Sequence, residues 1–171
     1  MHINFRMLCL FFLLCSSCLR ADESIVSFNV SVPKIISDFD VRIDVSSSLV
    51  GFDANRNNIR DDIEFILSKL YLHGNRKKII DRYVNYSFRI LSHDFSSANI
   101  SNEQIANKLY DEYRYIRHCY QRAEIDGKEL YDSINIIDSL IFNTDARITA
   151  YLNYEKYINI HAIYSDVTYL C

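Results

Sequence analysis

One proline and three glycines are the only strong structure breakers in this chain of 171 residues. Pro33 lies near the N-terminus, and Gly51, Gly74 and Gly127 each fall between stretches of regular hydrophobic spacing. None of them interrupts a helical pattern. The sequence has no low-complexity stretch and no segment that recurs at a fixed period, so repeat architectures are excluded. It also has no basic run, and the formal net charge is −3. Such a chain makes a poor nucleic-acid binder, and no nucleic-acid partner is expected. His73, His93, His118 and His161 lack close ligand spacing of the H-x-x-x-H kind, which argues against zinc.

The first 21 residues stand apart from the rest. Arg6 precedes an unbroken apolar run, Met7 to Cys15, and Ser16, Ser17, Cys18 and Ala21 follow as small residues. That order is the order of a secretory signal, and the run is far short of the roughly 20 residues that span a bilayer. Cleavage after Ala21 gives an exported soluble protein, periplasmic or secreted. Cleavage before Cys18 gives a lipid-anchored one, since Cys15-Ser16-Ser17-Cys18 resembles a bacterial lipobox with Cys15 where Leu is usual. Removing residues 1–21 also removes Arg6 and Arg20, which takes the charge from −3 to −5. Cys9, Cys15 and Cys18 leave with the signal or become its anchor, so Cys119 and Cys171 remain. An even pair in an exported chain predicts a Cys119–Cys171 disulfide.

Hydrophobic spacing divides the remainder in two. In residues 22–50, Phe28, Val30 and Val32 alternate with polar residues, as do Val41, Ile43 and Val45; two short strands or an extended arm would fit. From Ile59 the period turns helical. Stripes run through Ile63, Ile66 and Leu70, stopped by Gly74; then Ile80, Val84, Phe88 and Leu91, with Asn75 as a candidate cap. Ser101 with Gln104 reads as a capping box opening a third helix through Ile105, Leu109, Tyr113, Ile116 and Tyr120. A fourth carries Leu130, Ile134, Ile137 and Ile141. The fifth starts at Thr144–Asp145 and carries Ile148, Tyr151, Leu152 and Ile158. The expected fold is mostly α: a bundle of about five helices over residues 51–171, preceded by a short extended or β segment.

The twelve residues 53–64, D-A-N-R-N-N-I-R-D-D-I-E, carry the most specific chemistry. An EF-hand loop takes ligands from positions 1, 3, 5, 7, 9 and 12. Here those positions are Asp53, Asn55, Asn57, the carbonyl of Ile59, Asp61 and Glu64. Every side-chain position offers oxygen, which suits calcium better than magnesium. Two neutral ligands keep the ligand charge low, in keeping with the weak affinities of extracellular modules, roughly 10⁻⁴ to 10⁻³ M. Asn58 stands at position 6, where glycine is usual, and Arg60 at position 8. The segment leading in does not look helical. The alternative is a helix start in which Asn57 or Asn58 caps and Asp61, Asp62 and Glu64 complement the helix dipole.

"GFDANRNNIRDDIE" resembles the G-x-D-x-N-x-N-G-x-R-D-D-x-E segment of a group of small exported bacterial proteins with no assigned function. "FNTDARITAYLNY" is similar to an N-T-x-x-R segment of the same group. The resemblance implies calcium ligation at Asp53, Asn55, Asn57, Asp61 and Glu64 and implies no activity.

Two further patterns bear on function. His118 beside Cys119 could form a nucleophilic pair, but the even cysteine count favours a disulfide. Tyrosines interleave with Arg114, Arg117 and Arg122 in the third helix, which would suit a protein or glycan of the cell envelope or simply a half-buried face. No catalytic constellation is legible. The expectation is therefore an exported, calcium-stabilised helical protein that acts by binding. A cell-envelope hydrolase with an unidentified carboxylate site, or a secreted effector, would be the alternatives.

Overall fold

A computed structural model describes residues 37–70, 72–123, 127–160 and 169–171. The signal at 1–21, the Cys18 anchor and the alternation over 28–32 fall outside them. Five helices follow a helical turn at 37–39: α1 (Asp61–Lys69), α2 (Gly74–Ser92), α3 (Asn102–Arg122), α4 (Gly127–Ile141) and α5 (Asp145–Glu155). The chain is a mostly α bundle, with no strand among the described residues.

α2 is the central helix and packs against α3, α4 and α5. Its buried residues lie almost all round: Ile79, Ile80, Tyr83, Val84, Tyr86, Phe88, Ile90 and Leu91. An α-helix with apolar residues on most of its faces is stable only when its neighbours cover them. α1 contributes Ile63 and Ile66 to the same core, α3 contributes Ala106, Leu109, Ile116 and Tyr120, and α4 contributes Ile137, Leu140 and Ile141.

Several local expectations need correction. Gly74 does not stop the first helix. α1 closes at Leu70, whose N–H bonds the Ile66 carbonyl, and Gly74, at φ +57°, opens α2 with His73 in the cap position. The capping box at Ser101 does not form. Ser101 sits at the N-cap of α3, but its N–H and hydroxyl both turn back to Asn99 Oδ1, at 3.0 and 2.9 Å. α5 does begin as its sequence suggests, with Thr144 Oγ1 accepting from the Arg147 N–H at 3.3 Å. Its inward face differs, however. Ile148 and Leu152 are 44% and 50% exposed, while Arg147 and Tyr154 are buried.

Residues 41–45 form no strand. Val41 and Ile43 pack against the core, but Val45, the third member of the alternation, is 73% exposed, and the backbone there bonds to side chains and not to a second strand. Asp44 donates its N–H to Asp62 Oδ2 at 2.8 Å, and its carbonyl accepts from Arg147 and Asn143. At the far end, Cys119 and Cys171 are joined in a disulfide with 5.4 Å between Cα atoms, which fastens residue 171 to α3.

Candidate functional site

The loop at 53–64 is organised around its own acids and amides. Asp53 accepts from two successive backbone N–H groups, Asn57 at 3.2 Å and Asn58 at 2.8 Å. Asn55 Oδ1 accepts from the Asn57 N–H, and Asn57 Oδ1 from the Ile59 N–H, at 3.0 and 2.9 Å. Asp61 Oδ1 takes the Ala54 N–H at 3.0 Å. Glu64, in the first turn of α1, faces both amides: Asn55 Nδ2 donates to one carboxylate oxygen at 2.8 Å and Asn57 Nδ2 to the other. Asp53, Asn55, Asn57 and Glu64 are thus tied into one hydrogen-bonded knot, and Asp61 holds the neighbouring Ala54 N–H. The sixth predicted ligand position, Ile59, lies between them in the chain.

Two residues of this loop take the left-handed conformation, Arg56 at φ 60° and Asn58 at φ 71°. Asn58 occupies the position where a glycine would be usual, and asparagine tolerates that conformation better than other side chains. The helix-start alternative is met in one half: Asp61, Asp62 and Glu64 do stand in the first turn of α1, where acids complement the helix dipole. The N-cap of α1 is Arg60, with no side-chain capping bond, and neither Asn57 nor Asn58 caps.

The donors available to a cation are all oxygens. Among the described residues, however, no three His, Cys, Asp or Glu side chains are already gathered as a metal-holding group. Asp53, Asp61 and Glu64 are three acids of that kind and are not drawn together: Glu64 holds the two amides, and Asp61 holds the Ala54 N–H. An ion between them would replace the two amide bonds to Glu64 with ion–oxygen contacts.

Beneath the loop lies a buried pair of arginines. Arg60 is 1% exposed and Arg147 is not exposed at all. Arg60 Nε pairs with Asp62 at 2.5 Å, and its Nη2 donates to the Leu140 carbonyl at 2.7 Å. Arg147 donates to the carbonyls of Asp44, Ser48 and Leu49 at 2.7, 2.9 and 3.1 Å. Asn143 Oδ1 accepts from both, from Arg147 at 2.5 Å and Arg60 at 3.5 Å. Every guanidinium of the pair is therefore satisfied by carbonyls and carboxylates, as burial demands. Burial alone would raise the Asp44 carboxyl. Hydrogen bonds from Ser46 and from the Phe52 N–H, with the charge of Arg147, outweigh it and hold that group well below the usual carboxylate range.

Gly51 is required by this packing. Its φ is +74°, and a Cβ there would lie 2.3 Å from Arg60 Cδ and 2.7 Å from Asp44 Oδ2. The two segments singled out in the sequence, Gly51–Glu64 and Asn143–Arg147, thus meet in space at Arg60, Asn143 and Arg147. Spacing alone had not assigned the two arginines a role. The signal available was an arginine on the inward face of a short helix.

The other sequence candidates separate. Cys119 is in the disulfide, so the His118–Cys119 pair offers no thiol, and the His118 ring lies 5.6 Å from that of Tyr169. Tyr110, Tyr113 and Arg117 of α3 line a cavity of about 510 Å³ shared with Tyr83, Tyr151 and Asp138. Burial pushes the Asp138 carboxyl up to about 6, although the hydrogen bond from the Tyr83 hydroxyl, at 2.8 Å, works to lower it. Asp138 and Tyr151 were not legible as site residues.

Compared with known proteins, the chain matches no family model, no curated protein and no solved structure. Among the described residues, no helix is long and apolar enough to cross a membrane.

Proposed function

We propose that this is an exported helical protein, stabilised by one calcium ion at residues 53–64, that acts by binding. The observation that carries the calcium reading is the placing of Asn55 and Asn57 on the Glu64 carboxylate, with Asp53 holding the turn at Asn58, φ 71°, so that alternate oxygen donors share one short loop. A hard cation accepting six or more oxygens is the species that such a set serves. Export rests on the signal-like order of residues 1–21 and is supported by the Cys119–Cys171 bridge, since such bonds persist in oxidising compartments.

The ion would act on structure. Arg60 follows the loop's left-handed turn and grips the end of α4, so ordering the loop also holds α1 and α4 together. The reading of binding is supported by the tyrosines that make up half the lining of the cavity framed by α2 to α5, while Asp138 and Glu155 in the same wall are the acids that the hydrolase alternative would use.

Thermal melts with calcium and with chelator test the calcium reading. An affinity of roughly 10⁻⁴ to 10⁻³ M implies about 1–3 kcal/mol of stabilisation at about 10 mM calcium. For a domain of this size that is a rise of roughly 3–10 °C. The rise should vanish in Asp53→Ala, whatever that variant's own melting point. An unchanged wild-type melting point at millimolar calcium would leave the loop as a self-bonded turn.

A further inference from the structure

The tyrosine cavity has the makings of a cation cage. Tyr83 and Tyr113 have ring centroids 6.3 Å apart with 53° between their planes, and Tyr110 and Tyr113 are 6.0 Å apart at 34°. Tyr151 stands on α5, its plane at 54° to that of Tyr154. Tyr86 and Tyr113 stack more nearly parallel, at 24° and 5.8 Å, so the lining combines one stacked pair with tilted neighbours. Each ring presents a face of negative electrostatic potential, which attracts a cation. Asp138 adds a carboxylate whose hydrogen-bond donor is the neutral Tyr83 hydroxyl. Glu155 lines the same cavity and supplies a second acid. Arg117 lies with its guanidinium 5.8 Å from the Tyr113 centroid, so these rings already attract a cation at the edge.

We propose that this cavity binds the alkylammonium group of a small organic cation, with the rings of Tyr113 and Tyr151 against the charged head and Asp138 as its counter-ion. The volume, about 510 Å³, is that of a small-molecule pocket. A neutral sugar could donate a hydroxyl to Asp138 but would gain no attraction of opposite charges from it, and that difference separates the two ligand classes. The inference rests on the binding reading above and gives it a ligand class. It is independent of the calcium loop, whose residues line no part of this cavity.

Isothermal titration of the purified protein at pH 8 tests the proposal. Choline is the probe, and 3,3-dimethylbutanol is its neutral match in shape. Choline should bind saturably and about tenfold or more tighter than the alcohol. Asp138→Asn should weaken choline about tenfold while keeping an acceptor for Tyr83. Tyr113→Leu, which keeps apolar volume and removes the ring, should weaken it severalfold. No choline binding up to about 10 mM, equal binding of the alcohol, or an unchanged affinity in Asp138→Asn would each overturn the cage. A protein that ignores choline but melts higher in calcium loses the cage and keeps the calcium-stabilised fold.

Discussion

Asp138 is a carboxylic acid set among phenol rings. Tyr83 faces it from α2, and Tyr113, Arg117, Tyr151 and Glu155 share its cavity from α3 and α5. Its ordinary value is 3.8, and burial first of all raises it to about 6. Between those two values the folded protein holds a proton that the unfolded chain has released. Stability from this group therefore falls as pH rises through that window, and the full cost is present above it. At about 1.4 kcal/mol per unit the cost is on the order of 2–3 kcal/mol. Asp138→Asn should therefore stabilise the protein by about that much at pH 8 and by little at pH 4. Urea denaturation at both pH values is the check, and equal effects at the two would remove the desolvation account. The sequence does not single out this residue, because Asp138, four after Ile134 and three before Ile141, borders the apolar stripe, where an acid can turn either to water or inward. Only its contact with Tyr83, 55 positions away, shows that it is enclosed.

At the scale of elements, the telling case is α5. Spacing places Ile148 and Leu152 inward and assigns Arg147 no face. The helix is instead turned so that Arg147 enters the space between the loop and α4, where carbonyls wait for it. Hydrophobic periodicity assumes that charge seeks water, and it fails where a guanidinium replaces water as the donor. The same cause bears on residues 41–45, where Val41 and Ile43 turn to the core, Val45 turns to water, and the Asp44 carbonyl goes to Arg147 in place of a strand partner. Arg147→Lys keeps the charge and loses most of the fork. It should cost about 3 kcal/mol or more, since carbonyls and a carboxylate would be left with too few donors. Guanidinium denaturation curves would show it as a lower midpoint with an unchanged slope. A variant as stable as the parent would mean that the fork contributes nothing beyond its charge. The loop was more legible, because ligand spacing at alternate positions is written in the local sequence. Its support from residues 143 and 147 depends on tertiary packing.

The whole molecule is closed at one end by the Cys119–Cys171 bond. Beside it the Tyr115 hydroxyl donates to the Leu170 carbonyl at 3.1 Å, and the Tyr169 hydroxyl to Asp111 Oδ1 at 2.5 Å. With 52 positions between the cysteines, the chain-entropy model gives the bond about 4 kcal/mol. Replacing both cysteines with serine should lower unfolding free energy by about that amount, measured against the oxidised parent in urea. Equal stability would show that the tyrosine contacts suffice. The helical class and the number of elements followed from sparse breakers and period. Which helix sits at the centre did not, because α2 and α3 carry similar stripes and only the three neighbours packed on α2 distinguish it.

The arginine pair also fixes an order of events for a chain that emerges N-terminus first. Arg60 finds its α4 carbonyl 80 positions downstream, and the carbonyl of Asp44 waits 103 positions for Arg147. Residues 44–62 can shape their turn early, but the floor beneath it is laid only when residue 147 arrives. Until then the carbonyls of Asp44, Ser48 and Leu49 are left to water, so the first part of the domain to appear is among the last to be locked.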